Sequence, residues 1–269
     1  MTMRAQIVIV SNTPENSLAG VTSYSDFESK LAQLADQSQS NLVMSSPVIT
    51  TQAPLVKGDN YLGYASMGSE NINGIAEPVE ITRLAARLDL VNVKTDFTKT
   101  LLRNRTVRVE EVTILNQSTA SRFFSRDYWG VVMAAGHLGN SGATALNRDI
   151  ANGSPINDTP YVHYVMENDG SEAPTEIQVR ATLLETDTYE AGTKIFTAVN
   201  HRNGLDRGYN HNYVKRNYVY RLNVTFGIPA STATRKSPNI PIPPRPTTGD
   251  LDVQVEVVNW GQVSQDVEI

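Results

Sequence analysis

Apolar residues alternate with polar ones over much of this chain, and the clearest case is its last stretch. In LDVQVEVVNWGQVSQDVEI (251–269) every odd position from Leu251 to Val257 is apolar, and Val263, Val267 and Ile269 keep the same parity. A period of two is the mark of a β-strand with one buried face. The same style recurs in AQIVIVSN (5–12), VEITRLAARLDLVNVK (79–94), TVRVEEVTILN (106–116), EIQVRATLLET (176–186), KIFTAVNH (194–201) and NYVYRLNVTFGI (217–228). Gly, Asn, Asp and Ser separate these segments, as turn residues do. Helical spacing is rare. SDFESKLAQLADQ (25–37) predicts a helix, with Ser25 as N-cap and Phe27, Leu31 and Leu34 on one face. RDYWGVVMAAG (126–136) is a weaker candidate.

Many short strands and few helices predict packed sheets. A chain of 269 residues fits two sandwiches of ordinary domain size. The small polar stretch QSTASR places the boundary near 116–122, giving an N-terminal sandwich over 1–118 and a C-terminal one over 119–236. SPNIPIPPRPTTGD follows, with five prolines between Pro238 and Pro246. Proline fixes φ and lacks an N–H, so 237–250 is expected to run extended, held by Pro241, Pro243, Pro244 and Pro246. Beyond this tether, 251–269 reads either as an ordinary last strand or as one donated to another molecule's sheet edge.

Composition narrows the function. The 23 basic and 28 acidic side chains give a net charge of −5, with no basic patch or RNP-like motif, so no nucleic-acid partner is expected. Cysteine is absent, which removes disulfides, thiolate metal sites and cysteine catalysis. Apolar runs are too short to span a membrane, and MTMRAQIVIV lacks the pattern of a signal peptide. A cytosolic protein or a processed chain fits that start.

Candidate chemistry is sparse. HRNGLDRGYNH (201–211) holds His201, Asp206 and His211, a loose set better read as a hairpin loop than as a metal site. His137 and His163 stand alone, no G-x-S-x-G occurs, and GHLGNSG (136–142) lacks the Lys-Ser/Thr ending of a phosphate loop. Glu110 and Glu111 are successive strand residues, expected on opposite faces and so unable to share a substrate. Trp129, Trp260 and 11 tyrosines supply aromatic surface, and core packing is its simpler use; Tyr218 and Tyr220 share a parity with Leu222 and Val224. No enzyme activity, metal or cofactor is expected.

Taken in order, several motifs resemble those of one family. ITRLAARLDLVNVK resembles the arginine-containing core strand of the fimbrillins, the type V pilins of Bacteroidales, and LVMSSP (42–47) the short methionine segment before it. VRVEEVTILN, RNYVYRLNVTF (216–226) and the terminal VQVEVVNWGQVSQDVEI resemble further strands, in the family's order. The resemblance implies two transthyretin-like, Greek-key β-sandwich domains and a lipoprotein precursor exported to a cell-surface fimbria. It implies that an arginine-specific protease removes the first strand, and that a neighbour's C-terminal strand fills the groove so left. The family's precursor carries a lipid-bearing cysteine near its start. Its absence here makes a mature-like chain with a vacant groove the expectation, with Arg4 as candidate processing site.

On this reading the chain is a stalk-forming pilin. Leu251, Val253, Val255, Val257, Val263, Val267 and Ile269 form the inward face of the donor strand, and Trp260 anchors its bend. The acceptor groove lies beside 5–12 and 79–94. Expected partners are identical subunits, minor anchor and tip subunits, and host or bacterial surface ligands. The alternatives are a carbohydrate-binding tip adhesin of the same family, which should lack a projecting tail, and a secreted β-sandwich enzyme or sugar-binding module.

Overall fold

The computed structural model describes residues 4–57, 60–62, 79–97, 103–123, 135–199, 214–227, 250–259, 263–265 and 267–268. The fold is all-β with little helix. Two four-stranded sheets hold the largest core. One runs Thr144–Ala151, Thr106–Leu115, Glu176–Leu183, Gly192–Val199, with every neighbour antiparallel. The other runs Tyr161–Val165, Ala86–Thr95, Tyr218–Gly227, Asp250–Asn259, and its central pair is parallel. Alternation explains the packing. Val107, Val109, Val112 and Ile114 join Ile177, Val179, Ala181 and Leu183 in one buried cluster with Leu88, Leu90, Tyr220, Leu222, Val224 and Phe226.

A third four-stranded sheet, Val263–Gln265, Val79–Arg83, Met44–Ser45, Val10–Ser11, serves the N-terminal part of the chain. Beneath it Ile49, Val79 and Ile81 pack with Ile7, Ile9 and Met44. The segment 79–94, read as one strand, is therefore two. Val79–Arg83 belongs to this third sheet and Ala86–Thr95 to the large sandwich. Leu84 and Ala85, both fully buried, are the crossing point, and Leu84 N–H donates to Val43 O at 2.9 Å.

The sheets do not divide at the polar stretch near 118. Among the described residues, Thr106–Leu115 pairs with strands that follow it, and Gln117–Arg122 is structured rather than a linker. Gln117–Ser118 pairs with Leu138–Gly139, and Ala120–Arg122 with Leu31–Gln33. Gln117, Ser118, Ala120 and Ser121 are buried. Small polar side chains signal a loop only when water satisfies them. Here protein does: Ser118 Oγ donates to Ala120 O at 2.8 Å and Thr119 Oγ1 to His137 O at 2.8 Å.

The predicted helix over 25–37 is also corrected. The helix is Tyr24–Ser29, capped by Ser23 rather than Ser25, with Asp26 closing a capping box. Asp26 Oδ2 accepts from Thr22 Oγ1 at 2.8 Å, from Thr22 N–H at 3.0 Å and from Ser23 N–H at 2.9 Å, and these bonds hold its carboxyl below the ordinary range. Lys30 turns extended, and Leu31–Gln33 is drawn into pairing with Ala120–Arg122. A sheet partner distant in sequence outweighs the local helical spacing. The single strand expected over 5–12 is likewise two short ones, Gln6–Ile7 and Val10–Ser11.

One buried cluster locks the N-terminal sheets onto the sandwich. Arg216 Nη2 donates to Glu167 Oε2 at 2.7 Å, to Ser121 Oγ at 3.1 Å and to Arg122 O at 3.0 Å, and Nη1 donates to Phe123 O at 3.2 Å. Ser45 Oγ, from the Met44–Ser45 strand, donates to that same Phe123 carbonyl. Around this clamp Phe123, Met166, Val43, Leu84 and Ala85 form a second core, with Phe27 stacked on Phe123 at 6.0 Å.

Candidate functional site

The edges of two sheets carry the functional question, because one segment covers both. Asp250–Asn259 runs antiparallel to Tyr218–Gly227 over ten paired positions, from Asp250 opposite Gly227 to Asn259 opposite Tyr218. Residues directly opposite in such a pair share a sheet face. The register sets Leu251, Val253, Val255 and Val257 opposite Phe226, Val224, Leu222 and Tyr220, whose side chains are buried. After Asn259 the segment reaches the N-terminal sheets. Val263–Gln265 pairs with Val79–Arg83, Val263 facing Ile81 and Ser264 facing Glu80, and Val267–Glu268 pairs with Tyr61–Leu62.

The terminal segment therefore lies on its own chain here, completing one edge of the sandwich and one edge of the N-terminal sheet. The second edge, at 79–83, is where sequence reasoning expected an acceptor groove. Trp260, Ile269 and the tether prolines Pro241, Pro243, Pro244 and Pro246 lie outside the described residues. Arg4 is described and exposed. Its neighbour Ala5 is tied to Thr51 through both backbone and side chain at 2.9 Å.

Other sequence candidates fall elsewhere. His201, Asp206, His211, Trp129 and most of the helix candidate at 126–136 are outside the described residues. Among the described residues, no three His, Asp or Glu side chains gather as metal ligands would. His137 contributes its backbone carbonyl, which accepts from Thr119.

His163 is held in the sandwich. Its Nε2 lies 2.6 Å from Gln117 Oε1, an acceptor, which assigns the ring proton to Nε2. The ring stacks on Tyr161 at 5.8 Å and 5°. Burial pushes the imidazole below its ordinary value of 6.5. Below that pH an unfolded chain binds a proton that the folded chain resists, so stability present above 6.5 is lost as the pH falls. The unfolding midpoint should drop on acidification from about pH 6.5, ahead of the carboxylates. His163→Leu should flatten that part of the profile; an unchanged slope would assign it to other groups.

Glu110 and Glu111 do not point to opposite faces. The pairing of Glu176–Leu183 with Thr106–Leu115 slips between Arg180 and Ala181, so Arg180 faces Glu111 and Ala181 faces Val109. Such a bulge leaves Glu110 as the extra residue and turns both carboxylates outward. Arg180 bridges them, with Nε 3.0 Å from Glu110 Oε2 and Nη1 3.5 Å from Glu111 Oε1. Glu110 Oε1 also accepts from Thr182 Oγ1 at 2.6 Å. This is a structural ion cluster on the sheet face.

Comparison with known proteins matches these sheets in two pieces. The family model of the major fimbrial subunit protein FimA covers residues 1–83, and that of the fimbrium tip subunit Fim1C-like C-terminal domain covers 84–260. The division falls where the chain passes from the third sheet into the sandwich. A candidate fimbrium tip subunit, Fim1C, of Parabacteroides distasonis is 43% identical across 98% of this chain and 71% of its own length. This chain belongs to the fimbrillin family. A second fimbrillin, the major fimbrium subunit FimA type-2 of Porphyromonas gingivalis, is 26% identical over 96% of this chain and 75% of its own. The crystal structure of a candidate cell adhesion protein from P. distasonis superposes with a TM-score of 0.82 at 43% identity, covering 98% of this chain and 78% of that one. As a fimbrillin, the chain is a subunit of cell-surface fimbriae.

Proposed function

We propose that this fimbrillin joins its neighbours by β-strand exchange, with its terminal segment moving from its own sheet edges to the same edges of the next subunit. One observation carries the reading: a single segment covers two edges at once, at 218–227 and at 79–83. An edge without a partner presents a row of N–H and C=O groups and is prone to pair with another chain. The same pairings made between chains would satisfy the same ladder and add a joint. A filament of identical subunits, anchored and tipped by related ones, follows from this reading. Export as a lipoprotein precursor and trimming by an arginine-specific protease near Arg4 belong to the same proposal. The role is structural and adhesive, not catalytic.

A second reading makes the chain a tip subunit, which ends a filament and meets the ligand. The 43% identity to a candidate tip subunit favours it, as does the match of residues 84–260 to a tip-subunit domain. On this reading the chain would keep its own terminal segment and join at most one neighbour.

Two substitutions separate strand exchange from assembly by surface contacts. Val255 faces Leu222 and Gln254 faces Asn223. Leu222 is buried, whereas Asn223 is only half-buried. Val255→Asp should abolish or strongly slow filament growth, and Gln254→Asp should leave it near wild type, both read by electron microscopy. Equal effects would reject the assigned facing. A wild-type chain that never forms filaments alone, yet joins a preformed one at a single end, would decide for the tip.

A further inference from the structure

We infer that the Gly192–Val199 strand is a lateral joint, pairing antiparallel with the same strand of a second copy of this chain. An open sheet edge invites such pairing, and proteins protect their edges by shortness, bulges or charge. The other edges of the large sandwich are protected in these ways. Tyr161–Val165 has only five residues. Thr144–Ala151 loses its register between Ala145 and Arg148, where Asn147 takes a left-handed φ of 50°. Asp250–Asn259 carries Asp250, Asp252 and Glu256.

Gly192–Val199 lacks these devices. It is long and regular: its register against Glu176–Leu183 runs unbroken from Gly192 opposite Leu183 to Val199 opposite Glu176. Its sequence, GTKIFTAV, has no proline and a single charged residue, Lys194. Among the described residues no strand pairs with its other side. The terminal strand Asp250–Asn259 passes near it in the facing sheet but takes Tyr218–Gly227 as its partner. Thr193, Ile195 and Thr197 stay exposed, while Phe196 between them is buried in the core. At 62%, Ile195 is the most exposed large apolar side chain among the described residues.

The strand's own sequence selects a second copy as the occupant. A pairing that keeps both cores on one side must set exposed positions opposite exposed ones, since a slip of one residue exchanges the faces. About a two-fold axis at Ile195, Ile195 meets Ile195, Thr193 meets Thr197 and Lys194 meets Phe196. Threonine pairs and β-branched apolar pairs are favourable across strands, and no like charges stand opposite. An axis at Lys194 would instead set two lysines face to face. The two four-stranded sheets would run on as one, in a closed isologous contact. One strand pair is a small interface and weak alone, but repeated along two filaments it adds up. This side-to-side joint lies in a sheet that does not contain the terminal segment, so it does not depend on strand exchange.

Analytical ultracentrifugation of the full chain over a concentration series tests it. A monomer–dimer equilibrium is expected below millimolar concentration. Ile195→Lys should weaken the dimer roughly tenfold or more, by setting two like charges opposite at the axis. Val162→Lys, also at an exposed apolar position but on the short Tyr161–Val165 edge, should leave it unchanged. Ile195→Cys should be bridged into a covalent dimer by a short thiol cross-linker, since the chain has no other cysteine. Dimers made by strand exchange are told apart because they would survive Ile195→Lys and be lost in Val255→Asp. A chain that stays monomeric at millimolar concentration, a dimer that Ile195→Lys leaves intact, or an Ile195→Cys chain that the linker does not bridge would overturn the joint.

Discussion

Arg216→Met should destabilise the protein by about 3–5 kcal/mol, the usual cost of stranding one member of a buried ion pair. The side chains of Arg216 and Glu167 are only 12% and 4% exposed. The substitution removes every bond from the guanidinium to Glu167, Ser121, Arg122 and Phe123. Among the described residues, Glu167 then keeps only the Arg216 backbone N–H at 3.3 Å and Ser121 Oγ at 3.4 Å. Those two long contacts cannot stabilise a buried charge. Glu167→Gln added to Arg216→Met should recover part of the loss, because the stranded charge is gone. Denaturant midpoints of the two single variants and the double one measure this. An additive double variant would show that the pair acts as two separate contacts. The clamp holds residues 121–123, which meet the N-terminal strands at Leu31–Gln33 and Ser45. Loosening it should therefore expose the N-terminal part to proteolysis before the sandwich.

Phe226→Ala should cost a similar amount, about 3–5 kcal/mol, through the lost burial and the cavity left behind. Phe226 is fully buried and meets Phe196 edge-on, with centroids 5.2 Å apart at 69°. That contact joins the two sheets of the sandwich face to face. The neighbouring Thr225→Ala, on the other face of the strand and only half-buried, should change stability far less. Comparable losses at both positions would contradict the facing of the Tyr218–Gly227 strand. This strand also holds the terminal segment, so its inward face must be intact in a closed or an exchanged subunit alike.

The strands most legible in the sequence have both a strict alternation and a buried inner row. Thr106–Leu115, Glu176–Leu183, Gly192–Val199 and Tyr218–Gly227 lie within a residue or two of their predicted ends over the described residues, apart from the shortened C-terminal end of the second. What stayed hidden depends on partners distant in sequence. Nothing in the residues 79–94 marks Leu84–Ala85 as a passage between sheets, because both halves are equally apolar. Gln117–Arg122 reads as a linker until Arg216 and Glu167, some fifty to a hundred residues later, are found against it. The bulge at Glu110 had one visible signal, two adjacent polar residues interrupting a Val-rich alternation. Alternation alone assigns the pair to opposite faces, where the strand instead slips in register.

A mixture of two single-cysteine chains tests strand exchange most directly. The native chain has no cysteine, so any disulfide reports the introduced pair alone. Ser264 and Glu80 are antiparallel partners in the closed chain. Ser264→Cys in one chain and Glu80→Cys in another can be bridged across that register only if the terminal segment of the first lies on the sheet edge of the second. After assembly and oxidation, strand exchange predicts a heterodimer band on a non-reducing gel. Assembled filaments without that band, alongside a Glu80→Cys/Ser264→Cys double variant that closes within one chain, would contradict it.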